Sequence, residues 1–506
     1  MIAVALFALV WIVHRAYVQS ITLDEADTYK FWVAPPAPTL WEPHSNNHVL
    51  NSALMRLSVW LFGLSPLTLR VPALLGGLIF IVASFLLCQL LSDSLPLRAA
   101  LFMCLVYNPF IMDYLVAARG YGLALGFLNL AIYLLARLLV TVERDVGGRP
   151  VLACASAISA CTGLSVCANL SFSYAVFFLL VVTAVISAGF MWRKKHGPWE
   201  LVKLGLACTM PALLVLLVLG GSAVTRFPRS QLFWGTHSLP EAYIEIRRSA
   251  FTEINPFLVN PLVATVLRAF EARAIRLLSI PCIVYFALLF FIRRRRRDQS
   301  TRWRFRFSVC LTAVLVITIG AHWLQFKLLG IPLPLERTGL WIVPLFTALL
   351  GSALSEAPSD AVERLIRGAG IASLAVAAFY FVGELRDSFF NEWRSGAEIK
   401  MAFPVVVELC RKANVREVPS SFNLTPSLNF YKTLYKPNDI DGFVNIDPMP
   451  ANRPIYVLEE SLYADFIRSQ GLLITWHGSI SDVVVAIRPN TPGLAIESGV
   501  AQSGQH

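Results

Sequence analysis

Long apolar runs, separated by short polar stretches, recur from the first residue to about residue 386. A helix needs about 20 largely apolar residues to cross a bilayer. On that template the pattern predicts helices near 2–19, 67–91, 98–112, 120–142, 151–168, 170–192, 201–221, 276–292, 305–324, 338–356 and 368–386. These eleven segments define an all-α polytopic membrane domain over 1–386. The first, 1–19, is a marginal span, about 28 Å long at 1.5 Å per residue. No basic residue precedes 2–13 and no A-x-A-like site follows, so it reads as a span and not as a secretory signal. Past Arg386 the period changes. RPIYVLEE and DVVVAIRP read as short strands, and GAEIKMAFPVVVELCRKAN and SLYADFIRSQ as helices. The expectation is a small α/β domain over 387–490, followed by a disordered tail, 491–506.

Composition agrees with the pattern. The chain is 56% hydrophobic and 15% charged, where soluble domains carry roughly 25% charge. The net charge of +11 comes from short basic runs in alternate loops: Arg144 and Arg149; Arg193 to Lys195; Arg293 to Arg297; Arg364 and Arg367. Lys and Arg concentrate on the cytoplasmic side of membrane proteins, so these runs mark the cytoplasm and no nucleic-acid partner is expected. The loops 20–66, 113–119, 222–275 and 325–337 and the C-terminal domain then lie outside it. Eight of the nine Cys fall in apolar segments without metal-ligand spacing, where they act as small hydrophobes. No phosphate-binding glycine motif occurs.

The first loop carries most of the candidate chemistry. Residues 49–62 are apolar at helical spacing but too short to span, and read as a helix lying in the interface. Trp32, Trp41 and Trp60 suit the same headgroup level. Ahead of them stands an acidic cluster, Asp24, Glu25 and Asp27. The residues alone leave two readings for Asp24: the cap of a helix starting near Glu25, or a base taking a proton from an attacking hydroxyl. Asp113, Arg119 and Tyr121 gather in the turn YNPFIMDYLVAARGYG. Asp113 and Arg119 either pair across the turn or serve as a second acidic group and a phosphate contact, and Arg119 suits phosphate because its guanidinium is always charged and binds in a fork. His44, Asn46, Asn47 and His48 give a polar lining. Lys327, Glu336 and Arg337 either anchor the helix 338–356 at the interface or neutralise a phosphate. A divalent ion, if one binds, is expected at Asp24, Glu25 and His48.

Four stretches, LDEADTYKFW, NNHVLNSALMRLSVWLFGLSPLTLRVPALLGGL, AARGYGLAL and PLERTGLWIVP, together resemble the bacterial membrane glycosyltransferases of the protein O-mannosyltransferase and aminoarabinose-transferase superfamily, with the GT-C fold. The resemblance covers roughly the first 140 residues, and 320–350 more loosely. It implies an inverting transfer of sugar from a polyprenyl-phosphate donor to an extracytoplasmic hydroxyl on a protein, lipid or glycan. It makes Asp24 the base, Glu25 its neighbour and Asp113 the second-loop acid, with Asn47, His48, Arg119, Tyr121, Lys327 and Arg337 on the substrates. Many relatives carry His-Pro-Pro late in the first loop where this chain has Asn47-His48-Val49, so sugar identity does not carry over. The competing readings are a transporter of lipid-linked saccharide and a non-catalytic membrane scaffold. The polar residues concentrate at one membrane surface, and inverted repeats with paired broken helices, common in transporters, are not evident.

Overall fold

A computed structural model describes residues 1–221, 226, 228–251, 260–271, 273, 302–356, 358 and 361–494. The predicted helix 276–292, the Arg run 293–297 and most of the predicted tail lie outside these. Among the described residues, eight helices are long and apolar enough to cross a membrane: Pro66–Leu91, Tyr121–Glu143, Gly148–Ala168, Leu170–Arg193, Pro198–Gly220, Arg302–Leu329, Glu336–Leu354 and Ala361–Gly383. A ninth is reached if Ile2–Val18 and Leu23–Val33, bent by 75° at their junction, count as one. The outward side chains of these helices include Leu206, Leu214, Val218 and Val316, all exposed. Such continuous apolar surface belongs against lipid.

The predicted 98–112 segment is interrupted. α5 (Leu95–Val106) stops at Tyr107, and α6 (Pro109–Tyr114) starts afresh. Pro109 has no N–H to continue a helix, and Asn108 Oδ1 accepts from the backbone N–H groups of Phe110 and Ile111, capping α6. This break sets up the turn that carries Asp113 and Arg119.

The chain divides into two compact units. The first comprises Met1–Val13, Leu40–Ala53 and Pro72–Leu385. Within it α4 (Pro66–Leu91) meets α7 (Tyr121–Glu143) at glycine. A Cβ on Gly76 would lie 2.3 Å from the Gly122 carbonyl carbon, and one on Gly126 2.6 Å from the Gly76 oxygen. Small residues let backbones approach where lipid supplies no hydrophobic drive for association. Gly76→Ala therefore has to push two main chains apart, and is expected to destabilise the protein by roughly 1–3 kcal/mol or more. A melting curve of the purified variant checks this; an unchanged midpoint would contradict the close crossing.

The second unit comprises His14–Thr39, Leu54–Val71 and Arg386–His506. Strands β3 (Ile455–Glu459), β4 (Leu473–His477) and β5 (Val483–Ile487) form an antiparallel sheet in the order β3-β5-β4, with Ile455 opposite Ile487. β3 and β5 are buried throughout, matching their unbroken apolar runs. β1 (Glu417–Pro419) and β2 (Gly442–Val444) pair in parallel beside it, bridged from Ser420 to Val457. The helices α16 (Ile399–Ala413), α17 (Thr425–Tyr435) and α18 (Glu460–Ser469) pack around these strands. Ahead of α16, the Glu398 carboxylate accepts from the N–H and hydroxyl of Ser479 (3.0 and 2.9 Å), the N–H of Ile480 (2.9 Å) and the N–H and hydroxyl of Ser481 (2.7 and 2.8 Å). The acidic stretch of the first loop also belongs to this unit: α2 (Leu23–Thr28) packs on α17, Tyr29 meets Phe430 edge-on at 5.5 Å, and Tyr431 Oη accepts from the Ile21 N–H.

Candidate functional site

In the second unit the acidic cluster resolves into distinct roles. Thr22 caps α2: its Oγ1 accepts from the Glu25 N–H at 3.2 Å, and Glu25 Oε2 accepts from the Thr22 N–H at 2.9 Å. This reciprocal box replaces the predicted cap by Asp24. The Glu25 carboxylate is fully buried and grips Arg70 in a fork, Nε to Oε1 at 2.9 Å and Nη2 to Oε2 at 2.8 Å. Arg70 completes its donors on the Ala16, Gln19 and Ser20 carbonyls, and its guanidinium lies over Phe390. Glu25, expected beside the reacting atoms, is thus committed to a buried ion pair. Asp24 and Asp27 remain half-buried on α2. Arg56 pins the returning loop through the carbonyls of Trp32 and Pro35, at 2.8 and 2.7 Å. Neither Arg70 nor Arg56 was expected as a partner of this loop. Arg70 does leave a signal, a lone charge inside a predicted span, where a charge is expensive without a partner.

The first unit gathers the predicted cations. His48 is buried, its Cβ against Gly120 and its ring 5.9 Å from Tyr121, which also lies tilted 4.7 Å from Tyr114 and edge-on 6.3 Å from Phe172. Gly120 has φ +75° and sits so close to the Ala168 carbonyl that no side chain fits, which brings the Arg119–Tyr121 turn under His48. Arg119 and Asp113 are both buried. The charges of Arg119, Arg337 and His44 all act on the His48 imidazole. Asn47, expected on substrate, donates instead to the carbonyls of Leu40 and Glu42, holding its own loop. Lys327 stands exposed in the last turn of its helix, over Phe326.

Burial, and then the charges of Arg119, Arg337 and His44, hold the His48 imidazole well below the usual histidine range. The folded protein keeps it neutral at pH values where the unfolded chain binds a proton. Stability is therefore complete above about pH 6.5 and falls as pH drops below it. His48→Gln is expected to flatten that slope in melting temperatures measured from pH 7.5 to 5; an unchanged slope would place the titration elsewhere.

The loop Leu333–Trp341 carries Arg337 and also bounds a cavity of ≈ 590 Å³. Its wall is apolar, with Ile246 on α11 (Leu239–Ala250), Leu315 on α13 (Arg302–Leu329), Phe346 on α14 (Ile342–Leu354) and Phe381 on α15 (Ala361–Gly383). Asn108 and Arg247 add polar groups to the lining. Such size and lining are usual for a small-molecule site. Among the described residues, no three His, Cys, Asp or Glu side chains gather as a metal ion requires.

No family model matches the chain, and no curated protein does. Among solved structures it is similar to ArnT from Cupriavidus metallidurans bound to undecaprenyl phosphate, at 13% identity and TM-score 0.46 over 97% of this chain and 98% of that one. It is similar to the same protein in the apo state at 14% identity and TM-score 0.48, over 96% and 97%. It is also similar to the archaeal oligosaccharyltransferase AglB from Archaeoglobus fulgidus, in complex with an inhibitory peptide and a dolichol-phosphate, at 11% identity and TM-score 0.42, over 92% and 70%.

Proposed function

We propose that this protein is an integral membrane glycosyltransferase. It moves a sugar from a polyprenyl-phosphate donor to an acceptor hydroxyl on the extracytoplasmic side of a bacterial cytoplasmic membrane. The observation that carries the reading is the apolar cavity whose bounding loop bears Arg337 in a group with Arg119, His44 and His48. An apolar chamber with a cationic loop at its wall suits a ligand that is hydrocarbon at one end and phosphate at the other. The sequence resemblance independently names that chemistry.

In the proposed reaction the acceptor oxygen attacks the sugar C1 as the bond from C1 to the phosphate oxygen breaks, with inversion. The phosphate leaves as an anion and needs charge neutralisation more than a proton. Arg119 and Arg337 supply it, binding the oxygens in forks. Asp24 is the proposed base for the acceptor proton, with Asp113 a second acidic residue. Glu25 acts through Arg70, as a positioning residue for α2. Tyr121 and His48 line the phosphate end.

Incubating the purified protein with polyprenyl-phosphomannose, -phosphoglucose and -phospho-aminoarabinose, each labelled in the sugar, tests the reading. Label is expected to pass to an added membrane or glycan fraction while free polyprenyl phosphate appears. A carrier that crosses proteoliposomes with its sugar intact would make the protein a transporter instead.

A further inference from the structure

The segment Gln231–Ser238 in the first unit is tied down on both sides of two exposed aromatic residues. On one side, the N–H of Ser45 donates to Gln231 Oε1 at 2.9 Å, and the Ser45 hydroxyl to the Gln231 carbonyl at 3.0 Å. Ser45 lies in the loop that also holds His44 and His48. On the other side, Thr236 and Leu333 exchange both backbone hydrogen bonds, at 3.0 and 2.8 Å, beside the loop that carries Arg337. Gly235 between them has φ +157°, and a Cβ there would fall 2.4 Å from the Leu333 oxygen. The Thr236 hydroxyl is bonded to Glu241 and accepts from the Ser238 N–H. The backbone is thus built to make an arch, and the arch presents Phe233, 72% exposed, and Trp234, 45% exposed.

Trp234 is not simply dangling. The Arg337 guanidinium lies over its ring, 4.9 Å from the centroid. Exposed Trp near a membrane surface ordinarily anchors in the headgroup zone. An anchor of that kind needs neither a glycine-enforced arch nor a cation on its face. An indole held beside a cationic group offers a ring face to whatever the cation holds. The ring face carries negative quadrupole charge, and the C–H face of a pyranose, with its slightly positive hydrogens, is a natural complement.

We infer that Trp234 is the stacking platform for the sugar ring of the lipid-linked donor, held by its arch beside Arg337, which takes the adjoining phosphate. The inference rests on the glycosyltransferase reading and adds a sugar subsite to it. Replacing the ring with an aliphatic side chain removes the stacking face but leaves the phosphate contacts of Arg119 and Arg337. The loss should therefore fall on the glycosylated donor and spare the bare carrier.

The full-length protein in nanodiscs, titrated with polyprenyl-phosphomannose, polyprenyl-phosphoglucose and sugar-free polyprenyl phosphate, supplies the test. Trp234→Leu is expected to weaken at least one glycosylated donor about tenfold and the bare carrier less than about twofold. Trp234→Phe, which keeps a ring, should bind close to the wild type. Equal weakening of both ligands would overturn the inference, because Trp234 would then serve only to seat Arg337. No weakening of either would make it a bilayer anchor. Wild-type protein that binds none of the three would overturn the polyprenyl-phosphate reading itself, and this subsite with it.

Discussion

An Arg70→Lys protein is expected to lose several kcal/mol of stability and to melt many degrees below the wild type. Arg70 and Glu25 are both fully buried and joined by two parallel hydrogen bonds. The remaining guanidinium donors reach three carbonyls at the end of α1 (Ile2–Val18) and just beyond it: Ala16 at 3.1 Å, Gln19 at 2.9 Å and Ser20 at 2.7 Å. Lysine keeps the charge but offers three donors from one point, against five in a planar fork. It therefore abandons the fork on Glu25 or the carbonyls. Glu25→Ala should be at least as severe, since breaking one side of a buried pair costs about 3–5 kcal/mol, most of it from the charge left behind. Replacing both by apolar residues, Glu25→Leu with Arg70→Met, should recover much of the loss, because neither charge is then stranded. Melting followed by size-exclusion fluorescence in detergent separates these outcomes. If Arg70→Lys melts with the wild type, the pair does not hold the α1–α2 junction.

The membrane helices were legible because span length and apolar run are the same physical constraint. Ten of the eleven predicted segments fall within described residues, and each of these holds observed helix. The 98–112 segment was read as unbroken because periodicity overruled Asn108-Pro109, where Pro109 lacks the N–H that would continue α5 and Asn108 caps a new helix. The strands at RPIYVLEE and DVVVAIRP were equally visible, since a strand buried on both faces must be apolar throughout. The site was legible only in kind. Arg119, Arg337 and His48 were each singled out from separate stretches, and the charges of Arg119 and Arg337 act on the His48 imidazole. The pairing of Glu25 with Arg70 was not legible because the partner lies 45 residues away and no local pattern announces a long-range ion pair. Trp234 was missed because its arch is defined by hydrogen bonds to Ser45 and Leu333, remote positions with no period linking them.

The same separation of roles makes Asp24 the sharpest test of the proposed chemistry. An Asp24→Asn protein is expected to lose transfer by about 10²- to 10⁴-fold, the usual contribution of a positioned general base. Its melting temperature should stay close to that of the wild type. Two observations keep fold and chemistry apart here. The cap of α2 is Thr22 with Glu25, so amidation at position 24 leaves both cap bonds in place. The Thr28 hydroxyl bonds to the Asp24 backbone carbonyl, which the substitution does not alter. Asparagine has nearly the shape of aspartate but no basicity at neutral pH, so donor binding should also be unchanged and the loss should fall on kcat. Glu25→Gln gives the opposite signature: lowered stability, with any loss of transfer following loss of folded protein. Near-wild-type turnover by Asp24→Asn would remove Asp24 from the reaction and pass the role of base to Asp113. Lost turnover accompanied by an equal loss of donor binding would make Asp24 a binding residue, and the base would have to be sought elsewhere on the first loop.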